Sequence, residues 1–462
     1  MRTDLKKLVK KGTVSILGAA RSGLAAAAFF RNMNIDTFIS DTCDRDKLEK
    51  KLVEHDLKDV PFESGGHSEK ILKSNLIVIS PGIASDLSII AKARSLGIPV
   101  WSEMELGYRA SSATFLAVTG STGKSTTVSL LGEILSQAGK ESVVAGNIGV
   151  PVISTVPELS KNGFVAAEVS SFQLENIDEF RPQAAAVMNF MKNHLDRYHS
   201  EEDYYNAKKE IAKNFDKSNY LLLNALDQRL VDWAHEMENR TNVILFGSNV
   251  PGYDCFWFEN GIIRYRFNNT EEEIISTDEM CLKGDHNYLN ACAASGLAKV
   301  AGIDDHSIRM GLRTFSGLAH RLEFVSRIKG VAFYNDSKST TAESVRVAVS
   351  AFKNVHLIAG GRDKGCDFSV VNDVLKEHVK SITLIGEAAE RMYNEWNGIV
   401  PVYCESTLEL AIAKVLSRSV SGDTVVFSPG CSSFDMFANY EDRGNRFKLI
   451  VQELSKGRLS NE

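Results

Sequence analysis

The sequence predicts an α/β protein of about three domains. Three observations predict it. Residues 115–131 read as strand, small-residue turn and helix; residues 14–41 repeat that order with a glycine turn; and beyond residue 315 apolar runs alternate with helical stretches. At 462 residues and 44% hydrophobic content, the chain can bury several cores.

In the first stretch, VSILGAARSGLAAAAFFRNMNIDTFISD, Gly18 and Gly23 stand where the first and third glycines of a dinucleotide-type fingerprint belong, and Ala20 takes the second place. Asp41 lies about where a ribose-binding acid is expected. A Rossmann-like unit kept only for its structure fits this incomplete signal equally well. Residues 75–84 add a second strand and turn, so that Ser80, Pro81 and Gly82 fall at a strand's carboxyl end, where open α/β sheets bind ligands. The pattern changes to a short helix and a Ser-Ser break at Ser111 and Ser112, giving a first domain of residues 1–112.

The second domain, residues 113–315, opens on FLAVTGSTGKSTTVSLL. N–H groups of a small-residue loop and a helix start are expected unpaired and pointing into one concavity, where the dipole favours an anion. Gly120, Ser121, Thr122, Gly123, Lys124, Ser125 and Thr126 form the candidate triphosphate site. Lys124 is the mobile charge for the β- and γ-phosphates and Ser125 a Mg²⁺ hydroxyl, although Val118 holds the first glycine position of the usual pattern. Further on, Asn147 sits in a glycine turn. Glu168 ends an apolar strand, where a carboxylate is costly without a cation; Ser170, Ser171 and Gln173 follow it. A strand over residues 184–189 leads to His194, Asp196 and Arg197, then to a helix from Ser200 that carries Lys208. Taken alone, a loop histidine and a helix lysine are more often structural. Residues 242–280 are expected to form a small antiparallel layer, and a helix whose first turns hold His286, Asn287 and Asn290 follows. The third domain, residues 316–462, reads as a parallel sheet, with a strand over residues 331–334 and polar loops after it.

Composition narrows the function. A net charge of -6 without a long basic run gives no field for nucleic acid. Seven scattered cysteines with no C-x-x-C pair fit a reducing cytoplasm and argue against zinc. No stretch reaches about 18 uninterrupted apolar residues, so a soluble, cytoplasmic protein is expected, with no membrane partner.

GSTGKST, GNIGVP, EVSSFQLE, NHLDRYHS with YYNAKKEI, GDHNYLNA, AHRLEFV, YNDSKSTTAES, GGRDKG and SPGCSSFDMFANYEDRG occur in this order. Together they resemble the Mur ligases of bacterial peptidoglycan synthesis, and most closely the member that adds D-glutamate. The resemblance implies a Rossmann-like N-terminal domain for a UDP substrate, a central P-loop ATPase domain with a parallel-rich sheet, and a C-terminal α/β domain with a Rossmann-like sheet that binds the amino acid and closes. It implies an ATP-dependent ligase that joins D-glutamate to UDP-N-acetylmuramoyl-L-alanine through an acyl phosphate, expected to work as a monomer.

Roles carry over by position. Lys124, Glu168, His194, Lys208 and Lys338 would be catalytic. Ser125 and Glu168 would hold one Mg²⁺ and His194 a second, and Lys208 aligns with a lysine carbamylated in this family. Asn287, Asn290, His320, Arg321 and Asp336 would join the phosphate loop around ATP. Gly18, Arg21, Ser22, Asp41, Thr42, Ser80, Pro81, Gly82, Asn147, Ser170 and Gln173 would serve the UDP substrate, with Arg197 at its muramoyl-alanine end. His194, Thr340, Lys364, Ser433, Phe434 and Tyr440 would serve D-glutamate. The chain departs from some relatives at Asp41-Thr42-Cys43, where they carry Asp-Thr-Arg, and Arg21 is expected to meet phosphate instead. The alternatives are a ligase for another amino acid, a folylpolyglutamate synthase, or an NTP-dependent switch. A dinucleotide oxidoreductase would leave the triphosphate loop unused.

Overall fold

The structure, a computed structural model, describes Leu5, Val9 and residues 12–191, 197–363 and 365–456. The chain divides into two compact units, Met1–Phe315 and Ser316–Glu462.

The first unit holds two sheets. In one, β1 (Val14–Leu17), β2 (Thr37–Ser40), β3 (Phe62–Glu63), β4 (Leu76–Ile79) and β5 (Val100–Ser102) run parallel in the order β3-β2-β1-β4-β5. Leu17 pairs with both Ser40 and Ile79. The turns at Gly18, Asp41 and Ser80 therefore leave one edge of the sheet together, beside the point where the strand order reverses.

The other sheet comprises β6 (Thr114–Thr119), β7 (Ser142–Gly146), β8 (Phe164–Glu168), β9 (Ala184–Val187), β10 (Tyr220–Asn224), β11 (Asn242–Phe246), β12 (Asp254–Glu259), β13 (Ile262–Phe267) and β14 (Thr270–Ser276), in the order β14-β13-β12-β11-β10-β9-β6-β8-β7. β6 is covered on both faces, Phe115 to Val118 being at most 2% exposed, as an interior parallel strand requires. Register sets the site. Val118 pairs with Glu168, Glu168 with Gly146, and Thr119 with Val187. The phosphate loop, the Asn147 turn, Glu168 and the turn after β9 thus all emerge at one carboxyl edge.

Residues 242–280 do not make a separate layer. β11 pairs in parallel with β10 and with β12, and only β12, β13 and β14 pair antiparallel. The cause is the apolar interior of β11 and β12: Leu245, Phe246, Cys255 and Phe256 are fully buried, so both strands belong inside the main sheet rather than beside it.

The second unit has β15 (Glu323–Ile328), β16 (Val331–Asn335), β17 (Val355–Gly360), β18 (Val379–Ile385), β19 (Val402–Cys404) and β20 (Thr424–Phe427), ordered β15-β16-β20-β17-β18-β19. β15 is antiparallel to β16 and the others are parallel. Among the described residues, no helix is long and apolar enough to cross a membrane.

Candidate active site

After Thr119 the chain turns through Gly120 and Gly123, at φ +137° and +82°. A Cβ at Gly120 would lie 2.9 Å from Met188 Cβ, and one at Gly123 2.7 Å from Asn290 Oδ1, so glycine is required at both by angle and by space. Helix Lys124–Gln137 then begins with no side-chain cap and no acid in its first turn, which leaves the positive end of its dipole for an anion. Ser125 and Thr126 lie in that turn, partly buried.

Contrary to expectation, two of the loop's N–H groups are paired: those of Ser121 and Thr122 donate to Asn189 Oδ1 at 3.1 and 2.9 Å. Asn189, just beyond β9, was not singled out in the sequence. The signal available was an amide side chain following a strand that neighbours a glycine loop. Asn290 Oδ1 also accepts from Thr127 Oγ1 at 3.3 Å, and Asn290 Nδ2 lies 3.5 Å from Asn287 Oδ1. Asn290 of helix Asp285–Val300 thus stands at the loop, and Asn287 stands behind it.

Two lysines meet on one carbonyl. Lys124 Nζ donates to the Gly120 and Ser121 carbonyls, each at 2.9 Å, and Lys208 Nζ reaches the same Gly120 carbonyl at 2.9 Å. Lys208 is 2% exposed and its ammonium sits 4.4 Å from the centre of the Tyr204 ring. Burial, and next the charge of Lys124, push its pKa down to about 7, with Glu168 acting the other way. Tyr204 also touches the loop, its hydroxyl 3.4 Å from Ser121 Oγ.

Glu168 is 2% exposed. Its Oε1 accepts from Asn147 Nδ2 at 2.7 Å, while Oε2 is buried without a hydrogen-bond partner, as is Thr119 Oγ1. Buried oxygens left in this state are expensive unless something not part of the protein satisfies them. A carboxylate, hydroxyls and phosphate oxygens form a donor set suited to Mg²⁺, which keeps waters and takes few protein ligands. Among the described residues, no group of three or more His, Cys, Asp or Glu could hold a metal; His194 and Asp196 lie outside the described residues.

On the first sheet, Ser80 Oγ donates to the Gly18 carbonyl at 2.8 Å, and a Cβ at Gly23 would come within 1.9 Å of that carbonyl. Asp41 closes the same turn. Its carboxylate accepts from the Ala19 amide and, at 2.8 Å, from the Cys43 amide. Burial works against its charge, but these amides prevail and hold the carboxyl below its usual value. Ser22 lies in the first turn of helix Arg21–Asn32, and Thr42 is exposed. Arg21, expected to meet phosphate, donates to the Gly149 carbonyl at 2.5 Å. Arg197 donates to the carbonyls of Pro81 and Ile83 at 2.8 and 3.0 Å and pairs with Glu175 at 2.9 Å, tying the turn that holds Gly82 to the central sheet's loops. Ser170 and Gln173 satisfy each other in a capping box at helix Ser171–Leu174.

In the second unit, Asp336 follows β16 and is 5% exposed. It accepts from Ser428 Oγ at 2.8 Å and from the Leu322 amide at 3.1 Å. Burial pushes its pKa up to about 6 against those bonds. His320 and Leu322 both take left-handed angles, φ +63° and +45°, so exposed Arg321 is carried on a strained segment. That segment is fixed by Asp336, by Glu323 on the His320 amide at 2.8 Å, and by the Lys338 amide on the His320 carbonyl at 3.0 Å. Tyr440 meets His320 edge-on at 6.1 Å, and its carbonyl accepts from Ser337 Oγ at 2.8 Å. The buried Arg443, unnoticed in the sequence, grips Ser337 and the Cys431 carbonyl. Nearby, Gly361 at φ +135° has space for no Cβ because the Ser432 carbonyl is 2.3 Å away. Ser433 is buried, Phe434 is 60% exposed and Thr340 is exposed; Lys364 lies outside the described residues.

Three family models match the chain: Mur ligase MurD-like, N-terminal domain, over residues 12–102; Mur ligase middle domain, over residues 118–298; and Mur ligase, glutamate ligase domain, over residues 320–431. The UDP-N-acetylmuramoylalanine--D-glutamate ligase of Acidobacterium capsulatum is 38% identical over 447 residues, 96% of each chain. Its namesake from Koribacter versatilis is 37% identical over 450 residues, 97% of this chain and 99% of the relative. The crystal structure of MurF from Acinetobacter baumannii shares the fold, with a TM-score of 0.60 at 16% identity over 99% of this chain and 98% of the other.

Proposed function

From the premise that this chain belongs to the Mur ligase family and is an ATP-dependent, amide-bond-forming ligase of peptidoglycan-precursor synthesis, we propose that it joins D-glutamate to UDP-N-acetylmuramoyl-L-alanine, releasing ADP and phosphate. The observation that carries this is the meeting of Lys124, Lys208 and the half-satisfied Glu168 at one glycine loop.

A carboxylate is a poor electrophile at neutral pH. Its oxygen attacks the γ-phosphorus, ADP departs, and the acyl phosphate then offers a carbonyl carbon whose leaving group is phosphate. The amine of D-glutamate adds to that carbon and phosphate is expelled. Lys124 leaves its two carbonyls for the β- and γ-phosphate oxygens, while the start of helix Lys124–Gln137 offers N–H groups to the same anion. Asn189 keeps the loop in shape before nucleotide arrives, and Asn287 and Asn290 line its far side. Mg²⁺ supplies charge neutralisation for the phosphoryl group when bound, and Ser125, Glu168, His194 and a carbamylated Lys208 are the residues that would hold it, as two ions. Lys208 becomes an anion by adding its neutral amine to CO₂, with loss of one proton.

Gly18, Arg21, Ser22, Asp41, Thr42, Ser80, Pro81 and Gly82 hold the UDP portion in this reading, with Asn147, Ser170, Gln173 and Arg197 shaping the muramoyl-alanine end. Arg321, Asp336 and Lys338 serve ATP. Thr340, Lys364, Ser433, Phe434, Tyr440 and His194 receive D-glutamate, whose two carboxylates need donors. The reading includes three functional domains, 1–112, 113–315 and 316–462, in a cytoplasmic monomer acting on small molecules, with no nucleic acid or membrane partner.

Phosphate release with UDP-N-acetylmuramoyl-L-alanine, compared across D-glutamate, L-glutamate, L-alanine and diaminopimelate, tests the proposal. Turnover is expected with D-glutamate. Faster turnover with any of the others would overturn the substrate assignment.

A further inference from the structure

Glu103 opens helix Glu103–Ala110, all of whose residues are buried. Its carboxylate is 1% exposed. Oε1 accepts from the Ile153 amide at 2.7 Å, and Oε2 is buried with no partner. Burial pushes its pKa up to about 7, opposed by the Ile153 amide, the charge of Arg21 and the Val152 amide. A carboxylate that gains so few amides for such complete burial is poorly explained by stability alone.

What Glu103 holds is the segment leaving β7. The helix presses on it at both ends. A Cβ at Gly107 would lie 2.5 Å from Val152 Cγ1, and a Cβ at Gly146 would lie 3.2 Å from Met104 Cε and 2.3 Å from the Glu168 carbonyl. From the other side Arg21 grips the Gly149 carbonyl. Within the segment the Gly146 amide donates to the Val150 carbonyl at 2.9 Å, and the Asn147 amide to the Glu168 carbonyl at 2.9 Å. Asn147 Nδ2 then fixes Glu168 Oε1 at 2.7 Å. Contacts therefore hold Ile153, Val150, Gly149, Gly146 and Asn147 along the segment from Glu103 to Glu168.

We infer that Glu103 is a positioning residue for Glu168: by gripping Ile153 it fixes the turn that carries Asn147, and through Asn147 it fixes where Glu168 presents its second oxygen. This rests on reading Glu168 as the Mg²⁺ carboxylate. In this role the acceptor atom is what grips Ile153, through the 2.7 Å bond to its amide.

The test uses two conservative variants of the full chain, with thermal melts as a check on folding. Glu103→Gln keeps an acceptor at the same reach; Glu103→Asp keeps the charge and withdraws the acceptor by one methylene. Mn²⁺ binding in the presence of a non-hydrolysable ATP analogue is titrated by EPR, and the KM for UDP-N-acetylmuramoyl-L-alanine is measured alongside. Glu103→Asp is expected to weaken Mn²⁺ binding about tenfold, as loss of an outer-shell partner does, and to raise that KM with it because the same turn carries Asn147, while Glu103→Gln stays within about twofold of the parent in both. Asn147→Ala is expected to weaken binding similarly, and the Glu103→Asp, Asn147→Ala double variant no further than the weaker-binding single. Unchanged Mn²⁺ binding in Glu103→Asp, equal weakening in Glu103→Gln, or multiplied effects in the double variant would each overturn the inference. Glu168→Gln separates the two levels: if it leaves Mn²⁺ binding intact the metal reading fails, and if it weakens binding while Glu103→Asp does not, only the positioning role fails.

Discussion

Lys208 gives the sharpest test of the chemistry. An ordinary lysine amine, at 10.5, is neutral in about one molecule in 3,000 at pH 7, whereas at about 7 roughly half are neutral, a gain on the order of 10³ in the species that attacks CO₂. Burial and the neighbouring Lys124 charge produce that gain, and both are geometric facts of the Gly120 carbonyl. Enzyme supplied with ¹³C-bicarbonate is therefore expected to show a carbamate carbon resonance that Lys208→Arg abolishes, because a guanidinium cannot take up CO₂. Removing dissolved CO₂ should lower ligation at least about tenfold, and bicarbonate should restore it. The CO₂-dependent part of the rate should rise with pH through about 7, since the amine must lose its proton before it reacts. A resonance that survives Lys208→Arg, or a rate indifferent to CO₂ at every pH between 6 and 8, would refute the argument.

Further outcomes follow from single contacts. Gly123→Ala places a Cβ 2.7 Å from Asn290 Oδ1 at φ +82°; a cost of about 1–3 kcal/mol and at least tenfold weaker ATP binding by calorimetry are expected. Asn189→Ala takes the side-chain acceptor from the Ser121 and Thr122 amides and leaves Ser121 the Asn189 carbonyl at 3.1 Å, so with one bond lost at about 1 kcal/mol the KM for ATP should rise roughly fivefold, read from initial rates. In the second unit Asp423 accepts from His356 Nε2 and the Val420 amide, both at 3.0 Å, and pairs with Lys380. Burial raises its pKa, but Lys380, Val420 and His356 together hold it below the usual carboxylate range. The stability it contributes is thus full above the ordinary aspartate value and lost as pH falls below it. Asp423→Asn should cost about 2 kcal/mol in urea melts at pH 7 and less in acid.

The strand and helix order was legible because apolar runs and glycine turns are local signals. β6 and its loop could be read from Phe115 to Thr126 without knowing any neighbour, and Glu168 was marked by being a charge at the end of an apolar strand. What escaped the sequence depends on which strands lie side by side. Asn189 matters because β9 is next to β6, and Glu103 because its helix lies on the segment after β7. Neither neighbourhood is written in residue spacing. The same reason explains residues 242–280: a strand-rich, polar stretch suggested a small antiparallel layer, but the parallel pairing of β11 with β10 is long-range. Ser170 and Gln173 carry the pattern of a capping box, and the structure realises it. Arg21 was read as a phosphate ligand from its place in a turn, yet its guanidinium spans to Gly149.

In the proposed chemistry, two lysines on one carbonyl oxygen would also give a site built to attract anions a protein anion of its own. Both amines cannot stay charged at that spacing without strong repulsion. Burial falls on one of them: Lys208 is 2% exposed against the Tyr204 ring and its pKa is pushed down to about 7, whereas Lys124 is partly exposed. In that reading Lys124 serves as the cation for phosphate and Lys208 as the amine for CO₂. Both reach the Gly120 carbonyl where the chain turns at φ +137°, Lys124 from helix Lys124–Gln137 and Lys208 from helix Glu201–Lys209.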